Sequence, residues 1–182
     1  VNSIRKGKEE GPRAYVIAKQ QRDPVMTAYL VNQLRTQAIE VHQNDTAYVV
    51  LLEQPYRNLA VNLLSKQEYP EDAKFPPYDA IAWTLSYLNG VEVQSKDSID
   101  FRTDDLKMLT EDAVYKGRVT GRGSDYLLKY RAQNNVLPAM YTVKSKNQNA
   151  EILTLNHQQV INEDTLAAGS VLFRKLNTSQ AR

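Results

Sequence analysis

The amino-acid sequence predicts an α/β protein, a three-layer sandwich around a mostly parallel sheet. Three observations carry that expectation. Short β-rich apolar runs alternate with segments of helical period. The first two runs are separated by a crossover long enough to join parallel strands. The β-α-β pattern then recurs in the second half of the chain. At 182 residues the chain can bury roughly 70% of its unfolded surface, enough for one self-sufficient domain.

Residues 1–12 read as a flexible lead closed by Gly11-Pro12. Ala14-Tyr15-Val16-Ile17-Ala18 has the composition of a buried strand. Asp23 is a good N-cap, and Pro24 suits the first helical position, where its missing N–H is no loss. Met26, Tyr29, Leu30 and Leu34 then recur at helical spacing through about Gln37. Ile39-Glu40-Val41 and Tyr48-Val49-Val50-Leu51-Leu52 read as the next two strands, completing β-α-β-β. Pro55 opens a second helix with Leu59, Ala60, Leu63 and Leu64 on one face. A proline loop, Tyr69-Pro70 to Pro76-Pro77-Tyr78, leads to a third helix capped by Asp79 and ended by Asn89-Gly90. Val91-Glu92-Val93 continues as a strand, a short helix is expected over Asp104–Leu109, and Val114–Thr120 reads as another strand.

Residues 126–154 align without a gap to residues 15–43 at an offset of 111: Tyr15 meets Tyr126, Val25 meets Val136, Ala28 meets Ala139 and Glu40 meets Glu151. Ser170-Val171-Leu172-Phe173 then takes the place of Tyr48–Leu51. The expected organisation is a lead over 1–12, one α/β domain over 13–176 with halves of about 13–93 and 114–176, and a frayed tail over 177–182.

The absence of cysteine removes a thiol nucleophile, Cys-ligated zinc, iron–sulfur clusters and disulfides. A net charge of +2 gives no argument for nucleic acid or an anionic membrane. No apolar run reaches the ~18 residues needed to span a bilayer, so no membrane insertion is expected. The polar, charged N-terminus is no signal peptide, and without an initiator Met it reads as the cut end of a longer protein.

No motif announces a reaction. Gly121-Arg122-Gly123-Ser124 precedes a strand, whereas a phosphate cradle precedes a helix, so a tight turn is expected. His42 and His157 lack a His-x-x-Glu spacing, and Ser124 lies before a strand instead of on a strand-to-helix elbow. The sequence therefore assigns no catalytic, cofactor-binding or metal-binding residue. The third helix is more informative. Ile81, Leu85 and Leu88 form one apolar face, and Trp83 and Tyr87, four apart, form a second. A helix apolar on two sides is buried on two sides. Tyr78, Trp83 and Tyr87 are therefore candidates for an interface with a neighbouring domain, since aromatics are enriched at such contacts.

Several phrases together resemble a known group. Ala14-Tyr15-Val16-Ile17, Gln21-Arg22-Asp23-Pro24, Val41-His42, Gln54-Pro55-Tyr56-Arg57, Pro77-Tyr78-Asp79, Trp83-Thr84-Leu85 and Gly90-Val91-Glu92-Val93 resemble the C-terminal region of bacterial zinc carboxypeptidase-family metallopeptidases. Gly121–Leu128 resembles a later block of the same region. The resemblance implies a flavodoxin-like, class I glutamine amidotransferase-like domain that follows a zinc-bearing peptidase domain. Neither a zinc ligand nor the amidotransferase cysteine has a counterpart here, so zinc is expected only in the peptidase domain. The expectation that follows is a non-catalytic accessory domain partnered by its own peptidase domain, periplasmic or extracellular. The alternatives are a stand-alone flavodoxin-like module holding a small ligand or glycan at its strand ends, and a hydrolase using serine or paired carboxylates.

Overall fold

The computed structural model describes residues 2–66, 72, 74–75, 84–99, 102–130, 136–161, 163–177 and 179. The chain divides into two compact units, Val1–Tyr115 and Lys116–Arg182.

The first unit opens with helix α1 (Asn2–Glu9), where the sequence suggests a flexible lead. Two i,i+4 pairs, Arg5–Glu9 and Lys6–Glu10, run along its exposed side. Its contact point is Gly7, buried against the backbone of Leu52 and Glu53. Arg13 Nη1 donates to the Gly7 carbonyl at 3.0 Å. Strand β1 (Ala14–Ala18) follows, then helix α2 (Pro24–Thr36). Asp23 caps that helix as expected: Oδ1 accepts from the backbone N–H of Val25 and Met26, both at 3.1 Å. Strands β2 (His42–Gln43) and β3 (Ala47–Leu51) form a hairpin. Helices α3 (Arg57–Leu64) and α4 (Leu85–Asn89) and strands β4 (Gln94–Lys96) and β5 (Lys107–Met108) complete the unit.

The sheet runs β4-β1-β3-β2-β5, and every neighbouring pair is antiparallel. This corrects the expected mostly parallel, flavodoxin-like sandwich. The reason lies in two connections. The helical crossover does join strands of one direction, β1 and β2, since both run antiparallel to β3. But the link from β2 to β3 is only Asn44-Asp45-Thr46, far too short for a parallel return. Asn44 Oδ1 accepts from Thr46 N and Ala47 N and fixes that turn. The hairpin thus returns β3 into the gap between β1 and β2, a split β-α-β.

Leu30, Val31 and Leu34 of α2 are fully buried with Tyr15, Ile17, Tyr48 and Val50 of the sheet. Each such aliphatic side chain contributes about 1.5–3 kcal/mol on burial. Two side-chain amides stand in for strand pairing at the margins of this core. Asn32 binds Ala113 both ways, donating to its carbonyl at 2.9 Å and accepting its N–H at 2.8 Å. Gln54 does the same with Glu40, at 3.1 and 2.8 Å, and also donates to the Leu51 carbonyl. Arg35 reinforces the first clamp through the carbonyls of Leu109 and Thr110 and through Asp112.

The second unit contains β6 (Tyr126–Leu128), α5 (Val136–Lys146), β7 (Glu151–Thr154), β8 (Gln159–Ile161), β9 (Asp164–Leu166) and β10 (Val171–Arg174). Its main sheet, β6-β10-β7, is again antiparallel, with β10 inserted between two strands of one direction. The registers of the two units correspond residue by residue. Tyr15 pairs with Val50 and Tyr126 with Phe173; His42 pairs with Val49 and Leu153 with Leu172. The strands of the first unit map onto the second at the offset of 111, and the inserted strand maps at 123 (Val49 to Leu172). The 12-residue difference falls between β7 and β10, where the chain forms the β8–β9 hairpin in place of a three-residue turn.

The helices do not keep that register. Val136, Ala139, Met140 and Val143 pack on the core of the second unit, one position later than Pro24, Thr27, Ala28 and Val31. Tyr141, which the alignment sets opposite the fully buried Leu30, is 77% exposed.

Elements expected after Asn89 are displaced. β4 follows the predicted Val91–Val93 strand, β5 stands where a short helix was expected, and Val114–Thr120 is not a strand. Gly121 adopts a left-handed φ of 82° in the turn before β6.

Candidate functional site

Two features of the first unit face solvent with a defined geometry. The first is a cleft at the end of the sheet where β1 runs out and β2 turns into β3. A cavity of about 700 Å³ there is lined by Lys19, Gln43, Asn44, Asp45, Thr46, Asp104, Asp105 and Lys107. A second cavity of about 340 Å³ shares Lys19 and Gln43 with it and adds Pro24, Tyr48, Leu109, Glu111, Val114 and Tyr115. At the junction, Lys19 Nζ donates to Gln43 Oε1 at 2.9 Å and lies 5.0 Å from the centroid of the Tyr48 ring. The ammonium is thus held by an amide on one side and an aromatic face on the other. Burial pushes the Tyr48 phenol above its ordinary pKa, so it stays protonated and is available as a donor.

The second feature is α4. Thr84 Oγ1 donates to the Ser65 carbonyl at 3.0 Å ahead of the helix. Asn89 Nδ2 donates to Gln33 Oε1 and to the Leu85 carbonyl at its end. Gly90, at φ 60°, terminates it as the Asn89-Gly90 signal predicts. The helix is clamped at both ends, yet Tyr87 and Leu88 are 67% and 59% exposed. Of the three interface candidates, Tyr87 is therefore found on an open surface, whereas Tyr78 and Trp83 lie outside the described residues.

A buried polar cluster lies beneath α4's anchor. The hydroxyls of Tyr15 and Ser65 are 2.5 Å apart. Desolvation raises the Tyr15 pKa, against smaller lowering effects from the Ser65 hydrogen bond and the Arg57 charge. Arg57 is itself buried; it donates to Asn58 Oδ1 and the Gly11 carbonyl, and its Nε has no partner. The serine hydroxyl is engaged by a phenol, not by a general base, so the cluster positions Ser65 and α4 and is not arranged for acyl transfer.

The two histidines lie in different units. His42 lies in β2 with Nδ1 buried and unpartnered, and His157 Nε2 lies 3.3 Å from Gln159 Nε2. Among the described residues, no group of three or more His, Asp or Glu is placed to hold a metal ion. Ser124 Oγ bonds the neighbouring Asp125 in the turn before β6. Sequence reasoning missed the cleft because its lining comes from separate turns, a juxtaposition no local spacing encodes. The one local signal was Asn44-Asp45-Thr46, an Asx-type turn between two apolar runs. The chain matches no protein-family model, no curated protein and no solved structure.

Proposed function

We propose that this chain is a non-catalytic accessory module that docks on a zinc carboxypeptidase domain through the exposed face of α4. The observation that carries this reading is the pairing of rigidity with exposure: two large apolar side chains, Tyr87 and Leu88, are held outward on a helix fixed at both ends. Aromatic anchors presented on a preorganised element lose little entropy on binding. The partner comes from the sequence resemblance, as does a periplasmic or extracellular location. In this role the chain supplies shape and contact, and zinc belongs to the partner domain.

The test is a double variant, Tyr87→Ser with Leu88→Ser, in a polypeptide that joins this sequence to its peptidase domain. Both side chains already face water, so the melting temperature of the isolated module should hold. In the joined protein the two domains should melt separately, and peptide hydrolysis should lose thermal robustness. Joined proteins that melt and cleave alike with and without the substitutions would rule the docking role out.

A further inference from the structure

The whole-chain charge of +2 conceals two opposite signs. Residues 1–115 carry 13 Lys and Arg against 17 Asp and Glu, a net charge of −4, whereas residues 116–182 carry ten against four, a net charge of +6. We propose that the second unit binds the surface of an anionic phospholipid bilayer through the outer face of α5. This goes beyond the docking role above, which rests on α4 of the first unit.

Three observations support it. The first is an apolar helix face left open. Val136, Ala139, Met140 and Val143 of α5 pack on the core. At 3.6 residues per turn, Leu137, Pro138, Tyr141, Thr142 and Ser145 share the opposite side, and all five are exposed. Leu137 and Tyr141, four apart, are 75% and 77% exposed. Charged residues normally occupy the solvent side of a helix; here that side has none. Its two hydroxyls are spent within the helix. Thr142 Oγ1 donates to the Pro138 carbonyl and Ser145 Oγ to the Thr142 carbonyl, both at 2.8 Å. The face therefore leaves water without stranding a hydroxyl.

The second is where the charges stand. Lys144 and Lys146, in the last turn, flank the uncharged face on either side. Residues 126–150 contain no Asp or Glu, so no carboxylate of that stretch repels a lipid phosphate. An apolar centre, an aromatic ring at headgroup level and lysines at the margin are the arrangement of a helix lying in a membrane interface. A single-stranded nucleic acid would instead call for rings interleaved with cations.

The third is the surplus charge of the unit. Asp125, Glu151 and Asp164 are already paired, with Arg174, Lys175 and Lys129. Lys116, Arg118, Arg122, Lys144 and Lys146 are exposed and have no ion pair among the described residues. An anionic leaflet attracts each such cation within a Debye length.

The full chain is mixed with vesicles of phosphatidylcholine alone, or of phosphatidylcholine with an equal share of phosphatidylglycerol, and binding is read by flotation. It should float with the anionic vesicles, stay behind with the neutral ones, and be released by molar salt. Leu137→Ser with Tyr141→Ser alters side chains that already face water, so circular dichroism should be unchanged while binding falls at least roughly tenfold. Lys144→Gln with Lys146→Gln should weaken binding roughly tenfold to thirtyfold. The proposal is overturned if the chain ignores anionic vesicles, if it binds both kinds alike, or if either double variant binds as the wild type does. It is equally overturned if a single-stranded oligonucleotide displaces the vesicles and only the lysine pair matters to its binding, since the cations would then be reading phosphate without a bilayer.

Discussion

Gly7→Ala tests whether α1 is docked on the sheet. A Cβ at position 7 would lie 1.9 Å from the Leu52 carbonyl oxygen, 2.5 Å from its carbon and 2.8 Å from Glu53 Cα. Carbon atoms in contact sit about 3.5–4.0 Å apart, so the helix would have to retreat by roughly 1–2 Å. All three obstructing atoms are backbone, and no rotamer change relieves them. Two effects then oppose each other. Alanine favours the helix over glycine by about 1 kcal/mol. Forcing extra volume into a packed contact costs typically 1–3 kcal/mol, and the Arg13–Gly7 hydrogen bond, about 1 kcal/mol, goes with it. Packing wins by roughly 1–3 kcal/mol. In a unit spanning Val1–Tyr115, each kcal/mol of that loss lowers the melting temperature by about 4–8 °C. Calorimetry reads the shift, and hydrogen exchange should show Asn2–Glu9 losing protection. A variant that melts at the same or a higher temperature with α1 still protected would mean that helix propensity alone governs this segment, and the docking contact would be wrong.

Two further outcomes follow from the core. Gln54→Ala strips partners from Glu40 N, Glu40 O and Leu51 O at a side chain 1% exposed, and should destabilise by roughly 2–4 kcal/mol in urea unfolding; a loss below the noise of the extrapolation would show that water replaces the amide. Tyr15 and Tyr48 both have phenol pKa values raised by burial, so the fold favours their neutral form. Their contribution is complete below the ordinary tyrosine value of about 10 and is lost as pH rises through the higher folded values. Unfolding midpoints taken on both sides of that value should fall in alkali, and less steeply for Tyr48→Phe; equal slopes for the two proteins would refute the assignment.

Local chemistry made some elements readable and left their partners hidden. Asp23-Pro24 announces α2, and the capping bonds to Val25 and Met26 are those the pattern requires. Asn89-Gly90 announces the end of α4 through the left-handed glycine. Strand direction is not legible from the crossover, because a helical crossover fixes the sense of the strand it reaches but not its neighbour. The brevity of the stretch between Val41 and Tyr48 was the available clue, since a parallel return needs a dozen residues or more. Apolar composition points to a strand at Ile39–Val41, ahead of the observed His42–Gln43, because it outweighs turn chemistry when a strand is two residues long. The helix of the second unit was aligned by identity at Val136 and Ala139, yet its packed face is set by where the core lies. The cleft was illegible for a different reason: Lys19, Asp45 and Asp104 meet only once the sheet order is known.

The longer path between β7 and β10 has a practical side. The extra chain there leaves the flanking ladder in the same register as in the first unit, as Leu153 with Leu172 and His42 with Val49 attest. The hairpin is therefore a port for foreign sequence: a tag or reporter peptide grafted in place of residues 160–163, with the fully buried Leu166 kept, should leave the Leu153–Leu172 pairing intact.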